Sequence, residues 1–571
     1  MAMRMLTPQI RKTKFVLRPC SSSIKLVTSF GLLAMVTDIA AGELTFKPEL
    51  SLDYYKVEVQ SGSLSSSNTS AESQNVDDQV VKVTPSLALI YESKKLNLSG
   101  FTEYVQTKHD NESEPDREFF SYGLDTQLDL IQDTLTWTTS FGKSYKVMDS
   151  RLGIFSDEVV GSENLTGVTN YQTGLLYQLR NQRFLHLKAG ALISRSQAEA
   201  EGETDLSGSN FSSGKFDTQS KEASVSVGSG ISSRFSWNIN LMTSYSDRAN
   251  QQDYTQSRFS TLLDIPVSDR LGWVVKTQID KNKIDNETAL SDGLTYKEYG
   301  TGLRWSFTRQ SYINILAYRS KTGEQETRSF IGGDLSWLPS DRSSLQFSAN
   351  RNQFGENYSL NLQQNSRFLK TRAKFAQGVD INSRRQFVSG EVGSFICPIG
   401  TLDFTECFQP TDPNYQVSPG EEEIGIIGQD IELNDEVVKF SSGSFSIGYD
   451  NSRKLKFNLT YKYSKQEGLE NTSLGNDRES QSVTWSAAYA MSTKTQLVFN
   501  TTFGESRYLN ETTNASLNRE DKNTSMSVFL NTKLSTHLSG QVGVSKRERN
   551  SNSAGLDTED KRFNAQLAYR F

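Results

Sequence analysis

The feature that most constrains this chain is an alternation of apolar and polar residues that recurs along most of its length. In one clear example the apolar or small residues occupy every second position, at Phe120, Tyr122, Leu124, Thr126, Leu128 and Leu130. The same period recurs in 237–245, 455–463 and 526–534. Successive side chains of a β-strand point to opposite faces, so this period predicts strands that separate an apolar face from a polar one.

The connections between these segments fall into two kinds that alternate along the chain. One kind is short and rich in turn-forming residues, as at 93–95 and 268–270. The other kind is longer and polar, as at 148–166, 195–220 and 504–522. Short periplasmic turns alternating with long external loops are typical of bacterial outer-membrane barrels. A soluble β-sandwich or propeller would not need to sort its loops in this way.

The predicted fold is therefore all-β: a single large antiparallel transmembrane β-barrel of about 24 strands, within a range of roughly 22 to 26. The first predicted strand is 45–59 and the last is 562–571, and the strand pair within 356–378 is the hardest to place. The mean hydropathy of −0.54 does not argue against a membrane, because only every second residue of a barrel strand faces lipid. An even number of strands places both termini in the periplasm.

The first 42 residues are predicted to be an export signal that precedes a barrel over 43–571. A basic region is followed by the apolar stretch 26–36, and the small residues at 39–42 suit a cleavage site. A membrane anchor is the alternative, but the apolar stretch is shorter than the roughly 20 residues that a spanning helix needs. Loss of the basic region leaves a chain more acidic than its formal net charge of −6, which disfavours nucleic acid as a partner.

One region, 379–435, interrupts the alternation. It is rich in proline and contains Cys397 and Cys407. The third cysteine, Cys20, precedes the apolar stretch of the export signal and would be lost with it. The remaining even pair in an exported chain predicts a disulfide. Free thiols or a metal site are the alternatives, although two cysteines without nearby histidines make an incomplete zinc site. The region is predicted to be a long external loop, which either forms a folded cap or lumenal constriction or is a passive surface loop.

Several basic side chains occupy positions that the alternation predicts to face the lumen. They are His186, Lys188, Arg258, Lys276, Arg304, Lys456 and Lys462. Rings of charge tune the selectivity of pores, so these positions would suit the passage of an anionic polymer or solute. The alternative is ordinary packing against acidic partners inside the lumen.

A search for catalytic or cofactor chemistry finds little. His186 is the one candidate for a membrane-embedded hydrolase, but an ordinary lumenal histidine is the better interpretation. The acidic stretch 110–116 offers oxygen ligands for calcium but lacks the order of an EF-hand, which favours a solvated loop. The sequence contains no phosphate-binding loop, dinucleotide fingerprint or HExxH motif. We therefore predict no catalytic residue, cofactor or metal site, and no enzyme activity.

Aromatic residues near predicted strand ends suit the interfacial girdles of a membrane barrel, although a soluble all-β core could hold the same residues. They are Tyr171, Phe184, Phe235, Tyr245, Tyr312, Tyr318 and Trp337. The last predicted strand alternates up to the terminal Phe571. This ending resembles the signal that the barrel-assembly machinery of Gram-negative bacteria recognises.

Short motifs in three parts of the chain suggest a family. They are 83–89 with the following strand up to Tyr104, then 395–398, and a C-terminal block comprising 531–538 and 560–571. Together they resemble the outer-membrane proteins found with PEP-CTERM/exosortase systems and their exopolysaccharide clusters. The resemblance implies a barrel that works with surface polysaccharide or with the export of sorted proteins. It supplies no catalytic residues.

These features together predict a channel of the Gram-negative outer membrane, for export of exopolysaccharide or a related solute. A non-conducting barrel that docks a periplasmic or secreted partner is the alternative, and an embedded hydrolase is a minor one. The expected partners are outer-membrane lipid and lipopolysaccharide, the barrel-assembly machinery and polysaccharide-export components. A barrel of this strand number has a wide lumen, so something should fill it or gate it.

Overall fold

The computed structural model describes most of the chain after residue 41. The described residues are 42–61, 74–111, 114–147, 157–162, 165–179, 183–199, 216–230, 235–248, 253–284, 294–308, 310–323, 326–352, 355–381, 395–398, 421–424, 437–451, 454–468, 477–509, 519–552 and 557–571. Residues 1–41 of the predicted export signal lie outside them.

The described residues form β-strands joined by turns and irregular connections. The strands are β1 Glu43–Ser61, β2 Gln74–Glu92, β3 Leu96–His109, β4 Arg117–Ile131, β5 Leu135–Val147, β6 Leu165–Gln178, β7 Leu185–Glu199, β8 Phe216–Ser229, β9 Ser236–Arg248, β10 Tyr254–Pro266, β11 Leu271–Ile284, β12 Leu294–Ser306, β13 Tyr312–Thr322, β14 Arg328–Ser340, β15 Ser343–Asn352, β16 Gly355–Asn365, β17 Leu369–Ile381, β18 Phe395–Pro398, β19 Glu421–Ile424, β20 Val437–Asp450, β21 Leu455–Gly468, β22 Asp477–Ala490, β23 Thr495–Leu509, β24 Arg519–Lys533, β25 Leu538–Ser551 and β26 Thr558–Arg570. Among these residues, no helix is long and apolar enough to cross a membrane.

All strands except β18 and β19 join one closed antiparallel sheet of 24 strands. Each strand pairs with its neighbours along the chain, and β1 also pairs with β26, which places Leu52 opposite Leu567. The predicted antiparallel barrel of 24 strands is confirmed. The strand pair that was hardest to place is present as β16 and β17.

The two ends of the barrel differ in their connections. The end at which β1 begins and β26 finishes carries short connections, such as 132–134 and 491–494. The opposite end carries long ones, such as 200–215 and 382–436. Within that last connection β18 and β19 form a small hairpin, in which Cys397 lies opposite Glu422. Its predicted disulfide partner, Cys407, lies outside the described residues.

The alternation in sequence becomes a separation of the two faces of the sheet. On β1 the large apolar side chains at even positions face outward, and Phe46 and Leu52 are 55% and 49% exposed. Ser51 and Asp53, at odd positions of the same strand, are buried on the interior face. An outward apolar band and a polar interior are what a membrane barrel requires, because lipid covers the outer face alone.

The interior wall curves sharply at β11–β15. Lys276 Nζ on β11 lies 3.9 Å from the carboxylate of Asp334 on β14. The hydroxyl oxygen of Tyr296 on β12 lies 2.6 Å from the backbone carbonyl oxygen of Arg351 on β15. Adjacent strands are about 4.8 Å apart, so a flat sheet would keep each pair well beyond contact. The wall therefore forms a tight corner here, and its interior side chains pack against one another.

Tyr318 lies at the centre of this corner. Its ring stacks on Phe330 with centroids 5.1 Å apart, and it covers Gly300 and Gly332 on the two adjacent strands, where a Cβ atom would overlap the ring. The sequence placed Tyr318 among the interfacial aromatics, but it is 2% exposed and faces the interior. The expectation was wrong because β13 is apolar on both faces, so that alternation could not determine which set pointed outward.

Candidate functional site

Four of the seven basic residues predicted to face the lumen lie beside an aspartate. The pairs are Arg258 with Asp280, Lys276 with Asp334, Arg304 with Asp264, and Lys456 with Asp450. Arg304 also donates a hydrogen bond to the amide oxygen of Asn314, at 2.9 Å. This geometry favours the second interpretation of these four side chains, that they pack against acidic partners.

The other three basic residues are not brought together with these pairs. His186 is half-buried on β7, in a strand whose neighbouring residue Leu185 is exposed. Lys188 is exposed on the same strand, and Lys462 is half-buried on β21. A role for any of the seven in selectivity stays a prediction.

The acidic connection 110–116 is organised by hydrogen bonds at its ends. The carboxylate of Asp78 lies 2.6 Å from His109 Nδ1 and accepts a hydrogen bond from the backbone N–H of Asn111 at 3.0 Å. The carboxylate of Asp116 accepts one from the backbone N–H of His109. Among the described residues, no group of three or more His, Cys, Asp and Glu side chains is placed to hold a metal ion.

A segment that the sequence did not single out folds against the interior wall. It is 157–162, part of the long connection between β5 and β6, and we call it the docked segment. The carboxylate of Asp157 accepts hydrogen bonds from Arg562 at 2.6 Å and from Arg547 at 3.1 Å. The ammonium group of Lys82 donates one to the carboxylate of Glu158 at 2.9 Å.

The docked segment holds its own shape through a turn that Asp157 organises. The backbone N–H groups of Val159 and Val160 donate to Asp157 Oδ1 at 2.9 and 3.0 Å, and Asp157 N–H donates to the carbonyl of Val160. Aspartate favours such turns because its short side chain can bond the backbone a few residues ahead. Gly161 has a φ of 62°, a conformation that glycine adopts without steric penalty.

An apolar contact accompanies these ionic ones. Val159 is 6% exposed and packs against Val57 of β1 and Val80 of β2, with Tyr55 at the edge of the cluster. Burial of a valine side chain contributes about 1.5–3 kcal/mol. The docked segment is therefore stabilised by both apolar burial and charge.

These contacts cross the seam at which the barrel closes. Val57 lies on β1 and Arg562 on β26, the first and last strands, which pair with each other. Arg562 is also held within β26, where its Nε donates to the carboxylate of Asp560 at 2.8 Å. The docked segment thus joins strands from both ends of the chain.

The electrostatics of Asp157 follow from its surroundings. Burial would raise the pKa of this carboxyl, but the charges of Arg562 and Arg547 and the two backbone hydrogen bonds outweigh burial and lower the pKa to about 2. Asp157 is therefore ionised at neutral pH and acts as a fixed negative charge between two guanidinium groups.

A cavity of about 550 Å³ lies beside the docked segment. Its basic lining residues are Lys82, Lys146, Arg547 and Arg562, its acidic ones are Asp157 and Glu158, and its hydroxyl, amide and aromatic ones include Ser121, Ser144, Ser545, Asn564, Tyr55 and Phe529. These side chains could pair with a negatively charged group of a ligand, form hydrogen bonds to its hydroxyl groups and pack against an apolar face of it. We take this recess and the docked segment as the candidate site.

Sequence reasoning missed this site for an identifiable reason. The stretch Asp157-Glu158-Val159-Val160-Gly161 combines two acids with an apolar pair inside a polar connection. The apolar pair is the only local signal for this packing, and it is a weak one because isolated apolar residues are common on protein surfaces. The basic partners on β2, β25 and β26 are distant in sequence, so the pairing itself could not be read from the chain.

No family model matches the chain, and no curated protein matches it. Among solved structures, the FrpB iron transporter from Neisseria meningitidis (F3-3 variant) is 10% identical, with 92% of this chain and 81% of that chain covered and a TM-score of 0.46. For the siderophore receptor PirA from Acinetobacter baumannii the identity is 10%, the coverage 93% and 81%, and the TM-score 0.43. The outer membrane protein OpdK from Pseudomonas aeruginosa is 11% identical, with 92% of this chain and 99% of that chain covered and a TM-score of 0.33. These likenesses are too distant to indicate what this chain transports or binds.

Proposed function

We propose that this chain is a channel of the Gram-negative outer membrane whose lumen is narrowed by the docked segment. The observation that carries the proposal is the closed sheet with an apolar outer face and a charged, hydrogen-bonded interior. A closed sheet satisfies every backbone polar group in lipid, and a polar interior suits water and polar solutes.

The interior carries two features that reduce an otherwise wide lumen. One is the docked segment on the wall formed by β25, β26, β1 and β2. The other is the corner at β11–β15, where the wall packs on itself through Lys276 and Asp334. A channel with these restrictions would conduct in smaller steps than an unobstructed barrel of 24 strands.

The same restrictions favour a second candidate function, a non-conducting barrel that docks a periplasmic or secreted partner. If the docked segment and the corner leave no continuous path for water, the barrel would serve as a platform. The two candidates differ in one measurable property, the conductance of the folded barrel.

Orientation, solute and partners complete the proposal. The short connections are assigned to the periplasm, together with both termini, because exported barrels of this type place short turns there. The solute proposed is an exopolysaccharide or a related molecule, on the strength of the motifs at 83–89 and 395–398 and the C-terminal block. Lipopolysaccharide, the barrel-assembly machinery acting on Phe571, and polysaccharide-export components are the proposed partners.

The deciding experiment is single-channel conductance of the refolded barrel in a planar bilayer. It compares the wild-type chain with a variant in which 157–162 is replaced by a Gly-Ser linker, and with one in which a short Gly-Ser turn replaces 382–436, because Ile381 and Val437 pair directly and need a turn between them. Steps that grow when 157–162 is replaced support a channel narrowed by the docked segment. Growth only on removal of 382–436 would assign the restriction to that connection instead.

If none of the three proteins conducts, the channel proposal is overturned and the docking barrel is favoured. Each protein must first show the heat-dependent change in gel migration that folded barrels display. This control separates a closed barrel from one that did not fold.

A further inference from the structure

We infer that the recess beside the docked segment binds a carboxylate-bearing saccharide, with Lys146 as the residue that recognises the carboxylate. The inference deepens the proposed function, since it names a substrate class for the same interior site. It rests on three properties of the recess: an uncompensated cation, a lining suited to sugars, and a tethered pair of carboxylates.

Within the described part of the chain, Lys146 is the cation of the recess that has no carboxylate partner. It is half-buried in the wall of the recess, and among the described residues it has no carboxylate within ion-pair distance. Lys82, by contrast, is paired with Glu158, and Arg547 with Asp157. A partly buried ammonium group that lacks an internal partner favours an anion from solution, because pairing offsets the loss of hydration.

The remaining lining matches a sugar better than an inorganic ion. Ser121, Ser144, Ser545 and Asn564 offer hydroxyl and amide groups that can both donate and accept hydrogen bonds. Phe529 lies across Gly543, where a Cβ atom would meet its ring, so its aromatic face is presented on the interior side. Hydroxyl partners, an aromatic surface and a cation together correspond to a hexuronic acid unit.

The docked segment already presents two adjacent carboxylates to this recess. Asp157 and Glu158 bind cations contributed by β2, β25 and β26. These two carboxylates already form ion pairs with Lys82 and Arg547. An acidic saccharide that entered the recess would compete with them for the same two cations. Binding of the saccharide would then favour release of the docked segment, because a ligand shifts a protein toward the state that it binds more tightly.

The test is isothermal titration of trigalacturonic acid into the detergent-solubilised barrel, with maltotriose as the neutral comparison. We expect saturable binding of the acidic trimer and none of maltotriose. Lys146→Gln should weaken binding about tenfold, a loss of about 1.4 kcal/mol. Lys439→Gln is the control, because Lys439 is also a half-buried lysine but lies on β20, away from the recess.

A second variant tests the competition. Asp157→Asn combined with Glu158→Gln removes the tethered charges and should tighten binding of the acidic trimer. The inference is overturned by an absence of saturable binding to the wild-type barrel, by equal binding of maltotriose, or by equal affinity of Lys146→Gln and wild type. The titration measures binding independently of conductance. A barrel that does not conduct but still binds the trimer would therefore overturn the channel proposal and support the binding site.

Discussion

The carboxylate of Asp157 and the guanidinium group of Arg562 lie 2.6 Å apart although 405 residues separate them in the chain. This pair ties the connection between β5 and β6 to the last strand of the barrel. Arg562 is also bound by Asp560 on the same strand, which orients its guanidinium group within β26. The docked segment therefore binds a cation that the barrel wall itself also holds.

Loss of the Asp157 charge should loosen the docked segment. Asp157→Asn removes two charge-assisted hydrogen bonds from a side chain that is one-third exposed. We expect this change to make docking of the segment less favourable by about 1–2 kcal/mol. The measurement is the rate at which a water-soluble thiol reagent modifies Val159→Cys, in a background with Cys20→Ser, Cys397→Ser and Cys407→Ser. The rate should rise about 5- to 30-fold.

The control for this substitution is Asp269→Asn, an exposed aspartate in the turn between β10 and β11. It should leave the modification rate unchanged. If Asp157→Asn also leaves the rate unchanged, the ion pairs do not hold the segment and the apolar contact of Val159 does.

The docked segment should loosen in acid. The pKa of Asp157 is lowered from 3.8 to about 2, so its contribution to docking is fully present above about pH 4. That contribution is lost as the pH falls through the interval between these values, because protonation removes the charge that the two arginines bind. Single-channel conductance of the wild-type barrel should increase over this interval, and Asp157→Asn should show no such increase. A matching increase in the variant would assign the pH dependence to other carboxylates.

The corner at β11–β15 should depend on glycine beneath Tyr318. A methyl group at Gly300 would overlap the Tyr318 ring, and overpacking of this kind typically costs about 1–3 kcal/mol. Gly300→Ala should therefore reduce the free energy of unfolding in urea by that amount. At Gly504 the nearest atoms to an added Cβ are 3.6 Å away, so Gly504→Ala should cause no loss. Equal stability of the two variants would contradict the packing described here.

A charge on the outer face should oppose insertion into lipid. Leu303 is 61% exposed on the outer face of β12, three residues before that strand ends at Ser306. An arginine on the lipid side of a barrel costs from about 0–1 kcal/mol near the interfaces to about 2–4 kcal/mol at the midplane. Leu303→Arg should therefore make the folded barrel less stable in phospholipid vesicles, which is measured as a smaller free energy of unfolding. Gln310→Arg, at an exposed position in the following turn, should have little effect. Tolerance of both would place Leu303 outside the membrane.

Much of the architecture is determined by local patterns that need no knowledge of distant contacts. Period-two alternation predicted the strands, the alternation of short and long connections predicted an outer-membrane barrel, and the count of segments predicted about 24 strands, as the sheet has. Strand ends were less accurate, since β1 runs from Glu43 to Ser61 rather than over 45–59. Backbone pairing can extend past the last alternating residue, so the apolar pattern marks the lipid-facing part of a strand and not its full length.

What the sequence could not supply is which side chains from distant parts of the chain meet inside the barrel. Both faces of β13 are apolar enough to face lipid, so the sequence could not show that Tyr318 points inward, and the curvature of β11–β15 determines what it packs against. The pairing of Asp157 with Arg562 depends on closure of the barrel, which brings the last strand beside the first and within reach of the connection after β5. Alternation is a local property and determined which residues share a face. The tertiary structure alone decided which of those residues meet, because only closure and curvature of the sheet bring them into contact.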